Sequence, residues 1–423
     1  MATLITNIAS LITVDAAGQR SRTGAAMREI GEIRDGAILF DDTIRWIGTS
    51  EDALSLLNDE ARLTALGIVV ADLEIVDAEG RTVLPGFVDS HTHVVFAGSR
   101  ATEFARRLQG VSYQEIAAEG GGILATVNAV RDASVEDLVH VGEGLVHSAM
   151  EHGTTTMEIK SGYGLTLDSE LRQLEAVAIL NDTMAPRIMA TFMGAHDVPP
   201  EYRDRREAYV DHIIDDMLPR VAEQGIAQFC DAFVDTGYFT NDDGRRIAAA
   251  AKAHGLIPKI HADELSAFGA AEMAAESGAI SADHLLFASE AGIESMKKHG
   301  TVATLLPGTA YTLRLPYAPA RRMIDAGAVV ALATDCNPGS CFCENMQQII
   351  SLACMNMGMS IEEAITASTL HGAAALGVAE YVGSLEVGKM ADIVMYDVAG
   401  YADLVYHFGT NKVVSVWIEG EEQ

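Results

Sequence analysis

Eight short apolar, β-prone runs recur between Val83 and Asp335, with helix-length stretches between them, and this alternation constrains the fold more than any other feature. The runs are VLPGFVDSHTH, TTTMEIK, IMATFMGAH, AQFCDAFVD, IPKIHAD, AISADHL, TVATLLP and VVALATD. Intervening stretches such as SVEDLVHVGEGLVHSAMEHG and AAEMAAESG read as helices. Eight βα units predict an α/β fold, a closed (β/α)8 TIM barrel. The two ends of the chain differ from this pattern. GAILFDDTIRWIGT reads as two short strands around an Asp41-Asp42 turn, and ADIVMYDVAG and KVVSVWIEGE are β-rich runs after the turn-like GSLEVGK. Residues 1–76 and 383–423 are therefore expected to join as a second, small β-sandwich domain, with residues 77–382 forming the barrel.

Active sites of such barrels lie at the C-terminal ends of the strands. The first run ends in His91 and His93, the third in His196, and the fifth in His261 with Glu264 close behind. The sixth carries His284 and the eighth ends in Asp335. Side chains two apart on a strand share a face, so His91 and His93 both face the axis. Two imidazoles held in this way can grip one divalent ion, with His261 as a third ligand and Asp335 as a carboxylate fourth. Imidazole and carboxylate suit zinc or iron(II) equally. Such an ion lowers the pKa of a held water to about 7. A lone His-x-His is more often a surface or packing feature, and the weight rests on four groups sharing one end of the strands. His140, His147, His152, His212, His254, His299 and His371 fall in helical or loop contexts and read as surface or packing residues. Lys160 ends the second run, and the fourth run has no lysine to bridge a second ion. That favours one ion, with Lys160 a structural ion-pair partner. Cys336, Cys341 and Cys343 lack finger spacing, and the histidines already supply a full ligand set.

The loops after the strands supply substrate-facing candidates. Arg100 lies above the first strand, where a guanidinium can pair with a carboxylate in bidentate fashion. SGYG places Tyr163 at the barrel mouth, and NPGS, Asn337 to Ser340, offers backbone N–H groups and polar side chains. EGGGIL, Glu119 to Leu124, lacks a phosphate-loop pattern and reads as a loop over the mouth. A cationic anchor matters here because the net charge is -31, from 60 acidic and 29 basic residues. Such a surface repels phosphate backbones, which argues against a nucleic-acid partner, and slows an anionic substrate unless a local cation compensates. No apolar run reaches the roughly 18 residues of a membrane span. The N-terminus has no basic region ahead of its apolar part, and five cysteines, an odd count, suggest reduced thiols and a cytoplasmic location.

The strings HTHVVFAGSR, GGGI, EIKSGYGL, TFMGAHDVPPEY, KIHADE, SADHL, LLPGTAY and ATDCNPGS together resemble the imidazolonepropionase family of the amidohydrolase superfamily. The resemblance implies hydrolysis of the cyclic amide of 4-imidazolone-5-propanoate, a small anionic substrate, to N-formimino-L-glutamate in L-histidine degradation. It implies one zinc or iron ion on His91, His93, His261 and Asp335, and a homodimer. It places substrate on Arg100, Tyr163, His196 and Glu264, and the formimino-glutamate portion of the product on Asn337, Gly339 and Ser340. Asp197 and Asp235 depart from the family pattern. On this reading Asp335 or His284 takes a proton from water, and His284 stabilises charge on the carbonyl oxygen. Glu264 hydrogen-bonds the ring N–H groups and carries a proton to the leaving nitrogen. Two rivals are another amidohydrolase, such as an aromatic deaminase, which would not need the carboxylate anchor, and a non-catalytic scaffold, which would be free to lose ligands.

Overall fold

The computed structural model describes residues 2–111, 115–116 and 119–423. The N-terminal segment forms β1 (Ala2–Ile12), β2 (Glu32–Phe40), β3 (Ile44–Thr49), β4 (Leu73–Asp77) and β5 (Thr82–Pro85). The central segment forms β6 (Phe87–Asp89), β7 (Thr154–Lys160), β8 (Arg187–Ala195), β9 (Phe229–Val234), β10 (Ile257–Ala262), β11 (Ser281–His284), β12 (Val302–Leu305) and β13 (Val330–Leu332). The C-terminal segment adds β14 (Ile393–Tyr396), β15 (Val413–Ile418) and β16 (Glu421–Glu422).

Strands β6 to β13 pair in chain order, each pair parallel. The ring closes beyond the ends of β6 and β13. There Thr92 bridges Cys336, Asp335 N–H donates to His91 O at 3.0 Å, and His93 N–H donates to Cys336 O at 2.9 Å. All eight apolar runs supply barrel strands, as the alternation predicted. Helices cover the outside. The one at Val135–Glu151 starts on a capping box between Ser134 and Asp137 and buries Leu138, Leu145, Val146 and Ala149, one stripe at helical spacing.

The first run divides between two sheets. Thr82–Pro85 pairs with β1 and β14 in the smaller sheet, and the barrel begins only at Phe87. Pro85 has no N–H to donate, and a Cβ on Gly86 would lie 2.1 Å from Thr155 Oγ1. The chain steps from one sheet to the other at this pair, so the smaller sheet reaches past residue 76, where sequence alone placed the barrel's start. That sheet runs β16-β15-β14-β5-β1-β2-β3, with β4 also on β1. Ile5, Ile8, Ile38 and Phe40 share an apolar cluster with Ile393, Met395 and Trp417, so both ends of the chain build one small core. Arg187, at the base of β8, ties this domain to the barrel through Asp392 at 3.0 Å and Glu419 at 2.6 Å.

The helix Leu370–Ala375 packs so closely on β6 that a Cβ on Gly372 would lie 2.3 Å from Val88 O. A backbone oxygen cannot yield without moving the strand that leads to His91. Gly372→Ala is expected to destabilise the protein by about 1–3 kcal/mol, as other overpacking changes do. Denaturant unfolding checks this, and an unchanged midpoint would mean that the helix shifts freely.

Candidate metal centre

Four strand ends converge on one point at the C-terminal mouth of the barrel. His91 Nε2 and His93 Nε2 stand 3.3 Å apart, and Asp335 Oδ1 is 3.6 Å from the first and 3.7 Å from the second. His91, His93 and His261 bring ligand atoms within 4.8 Å of one another, as do His91, His284 and Asp335. Two donors about 2.1 Å from a tetrahedral ion lie about 3.4 Å apart, so these spacings suit one divalent cation. The protons are placed correctly for it. His91 Nδ1 faces Asp283 Oδ2 at 2.7 Å, and His261 Nδ1 faces Asp231 Oδ2 at 3.0 Å. The Asp283 carboxylate draws the His91 proton to Nδ1 and leaves a lone pair at Nε2, and Asp231 lies beside the same nitrogen of His261. Burial pushes His91 and His93 well below the usual imidazole range, so both are neutral. Neutral nitrogens this close, beside a carboxylate, gain most with a cation between them.

His284 and Asp335 hold left-handed backbones, φ 74° and 53°, which cost of order 1–3 kcal/mol each and turn their side chains into the mouth. His284 Nε2 lies 3.6 Å from Glu264 Oε2. Burial, then the negative charge of Asp335 and Asp235, pushes Glu264 well above the usual carboxylate range. Burial raises Asp335 to about 6, although Thr309 donates a hydrogen bond to its Oδ2. Lys160 is the ion-pair partner that the sequence suggested, fully buried between Glu158 at 2.7 Å and Asp231 at 2.9 Å. Sequence reasoning missed Glu158, Asp231, Lys259 and Asp283. The available signal was a charge at alternate positions of an apolar run, as in Glu158-x-Lys160 and Lys259-x-His261.

A cavity of about 500 Å³ opens above the ligands. His93, Arg100, Tyr163, His196, His261, Glu264, His284, Asp335, Asn337, Gly339 and Ser340 all border it, and His91 lies beneath. Arg107 and Arg314 join Arg100 on the wall, a local cationic lining in an acidic chain. Arg100 donates from Nε to Glu103 at 2.9 Å, which orients its terminal nitrogens, and a Cβ on Gly339 would lie 2.2 Å from one of them. Gly339 is therefore the residue that lets the guanidinium lie against the loop. Glu103 also accepts from Gly122 N–H at 3.2 Å, and Ile123 borders the cavity, so the glycine-rich stretch does reach the mouth. His196 Nδ1 lies 3.0 Å from Gly162 O, and burial lowers its pKa to about 3, so a neutral ring presents Nε2 as an acceptor. The N–H groups of Gly339 and Ser340 are already bound to Asn337 Oδ1, at 2.8 and 2.7 Å. They shape the loop and are not open donors, as the sequence had suggested. Asp197 and Asp235 do not border the cavity. Asp235 accepts from Leu265 N–H at 2.7 Å and Ser266 Oγ at 2.6 Å, which fixes the loop that follows Glu264. The five cysteines are free, and none joins a ligand group among the described residues.

Comparison with known proteins agrees with this geometry. Residues 82–422 match the model of the Amidohydrolase family. The chain is 48% identical over 416 residues to an imidazolonepropionase of Symbiobacterium thermophilum, covering 98% of this chain and 95% of that one. It is 45% identical over 413 residues to an imidazolonepropionase of Geobacillus sp. (strain WCH70), covering 97% and 95%. Among solved structures, an E. coli guanine deaminase superimposes with a TM-score of 0.73 at 15% identity, over 100% of this chain and 99% of that one, a likeness of fold alone.

Asp335 must be ionised to hold a cation, and its raised pKa of about 6 makes it a group that competes with protons, whereas His91 and His93 are pushed well below the usual imidazole range. Affinity for zinc is expected to level off above about pH 7 and to fall as pH drops through 6, approaching about tenfold per pH unit well below it. Competition against a chelator across this range measures it, and a level profile down to pH 5 would remove Asp335 from the ligand set.

Proposed function

The chain belongs to the amidohydrolase family, within its imidazolonepropionase branch, and from that premise we propose that it hydrolyses the ring amide of 4-imidazolone-5-propanoate to N-formimino-L-glutamate in L-histidine degradation. The observation that carries this reading is the shared cavity. Arg100 borders the same space as His93, His261 and Asp335, with His91 beneath them, which supports a small anionic ring as the substrate.

His91, His93, His261 and Asp335 would hold one zinc or iron ion, whose chemistry when bound is Lewis-acid polarisation of a water and of the ring carbonyl. The remaining steps belong to the side chains. Arg100 and Tyr163 fix the propionate tail, which sets the ring over the ligands, and His196 Nε2 accepts from a ring N–H. The water oxygen bonds to the carbonyl carbon while Asp335 or His284 takes its proton. His284 stabilises the charge that collects on the carbonyl oxygen. Glu264, whose carboxyl burial pushes well above the usual carboxylate range, delivers a proton to the nitrogen as the C–N bond breaks. Asn337, Gly339 and Ser340 flank the formimino-glutamate portion of the product. The proposal includes a cytoplasmic homodimer, which light scattering on the purified protein would check. Among the described residues no helix is long and apolar enough to cross a membrane.

The direct test follows loss of the imidazolone ultraviolet absorbance, with substrate made in place by urocanase and a protein-free blank. Fast loss, abolished by a chelator and restored by zinc or iron(II), is expected. No acceleration with metal bound would turn the reading toward a deaminase or another cyclic amide. Arg100→Ala is expected to raise KM about 10–100-fold with kcat little changed, the signature of lost substrate binding. His284→Ala is expected to lower kcat about 100–1000-fold with KM little changed. Wild-type kinetics in either variant would remove the role assigned to that residue.

A further inference from the structure

Under the candidate ion site, Glu158, Lys160, Asp231, Lys259 and Asp283 lie inside the barrel with no exposure. The Lys160 ammonium is 2.7 Å from Glu158 Oε1, 2.9 Å from Asp231 Oδ2 and 3.9 Å from Asp283 Oδ2. Those two aspartates are the ones that face His261 Nδ1 at 3.0 Å and His91 Nδ1 at 2.7 Å. Lys259 donates to Ser90 O at 2.9 Å and lies 3.3 Å from Glu158 Oε2, and its charge also acts on Asp283, whereas it makes no ion pair with Asp231. One ammonium is therefore common to the supports of two histidines that come from β10 and from the segment after β6. Its main chain reaches the same place. Lys160 N–H donates to Thr92 O at 3.0 Å, between His91 and His93, and Thr92 Oγ1 donates to Glu158 O at 2.6 Å.

We propose that Lys160 is a positioning residue for the metal ion: its side chain clamps Asp231 and Asp283 together and so keeps the His261 and His91 imidazoles turned with Nε2 toward the ion. The proposal rests on the reading of this site as a metal centre. Two effects oppose each other. A buried ammonium repels a divalent cation, and its removal would relieve that repulsion. Against this, two buried carboxylates that lose the ammonium between them, with only Lys259 left near Asp283, repel each other and move apart, and each imidazole then loses the acceptor that fixes its ring. The aspartates stand between the ammonium and the histidines, so the repulsion is largely offset and the clamp is the larger effect. Partners of this outer kind typically change metal affinity by about 10–100-fold.

The test measures zinc affinity of the full chain by competition with a chromophoric chelator, in the native protein, Lys160→Met, Asp283→Asn and the double variant. The visible spectrum of the cobalt(II)-loaded proteins reports ligand geometry. Lys160→Met is expected to bind zinc about 10–100-fold more weakly and to alter the cobalt spectrum while circular dichroism shows it folded. Asp283→Asn is expected to weaken zinc in the same direction, and the double variant to weaken it by less than the product of the two, since both act through one contact. A folded Lys160→Met that binds zinc as tightly as the native chain, or more tightly, would overturn the proposal even if its Tm fell. So would independent, multiplicative effects of the two changes. If Lys160→Met does not fold, Lys160→Gln takes its place with the same expected weakening, and native-like zinc affinity in it would overturn the proposal. A native chain that binds no zinc would instead sink the metal reading itself, which keeps the two failures apart.

Discussion

The main-chain seam that closes the barrel is the constraint on which the site depends. Hydrogen bonds from Asp335 to His91 and from His93 to Cys336 join the segment after β6 to the segment after β13. Groups far apart in the chain are placed side by side by that register. A shift of one residue along the seam would turn His91 and His93 away from the axis, because side chains alternate along an extended chain. The tight packing of Gly372 against Val88 and the step at Pro85-Gly86 brace the strand that carries them.

The electrostatics follow from burial. Burial keeps His91, His93 and His284 neutral, Glu264 and Asp335 hold protons more tightly than usual, and left-handed backbones at His284 and Asp335 add local strain. Each of these features costs stability. A cation among the ligands offsets that cost, which is the usual relation between a metal centre and the barrel that holds it. Beneath the ligands Glu158, Lys160, Asp231 and Lys259 each have an opposite charge within 3.3 Å, and Asp283 has Lys160 at 3.9 Å.

The acidic surface and the anionic substrate of the proposed reaction are reconciled at the cavity wall. Arg100, Arg107 and Arg314 set a local positive field in a chain of net charge -31. Glu103 and Gly339 hold the first of them in position, one by a hydrogen bond to Nε and the other by having no side chain. Asp197 and Asp235, the two departures from the family pattern, lie outside this wall, and Asp235 serves the loop behind Glu264.

By itself the sequence determined the barrel and the candidate ligands at its mouth. The period of apolar runs is a local property, and a histidine or aspartate at the end of such a run is visible without any fold. Family motifs in the loops pointed to the residues around the cavity for the same reason, since each lies within one short string. Tertiary structure alone decided the rest. The run from Val83 to His93 serves two sheets because of pairing partners elsewhere in the chain, which its own composition does not name. Glu158, Lys160, Asp231 and Asp283 sit on β7, β9 and β11, and in one dimension each is only a misplaced charge in an apolar strand. Their meaning comes from closure of the ring, which removes them from water and sets each within reach of its counter-charge, where Coulomb attraction is no longer screened.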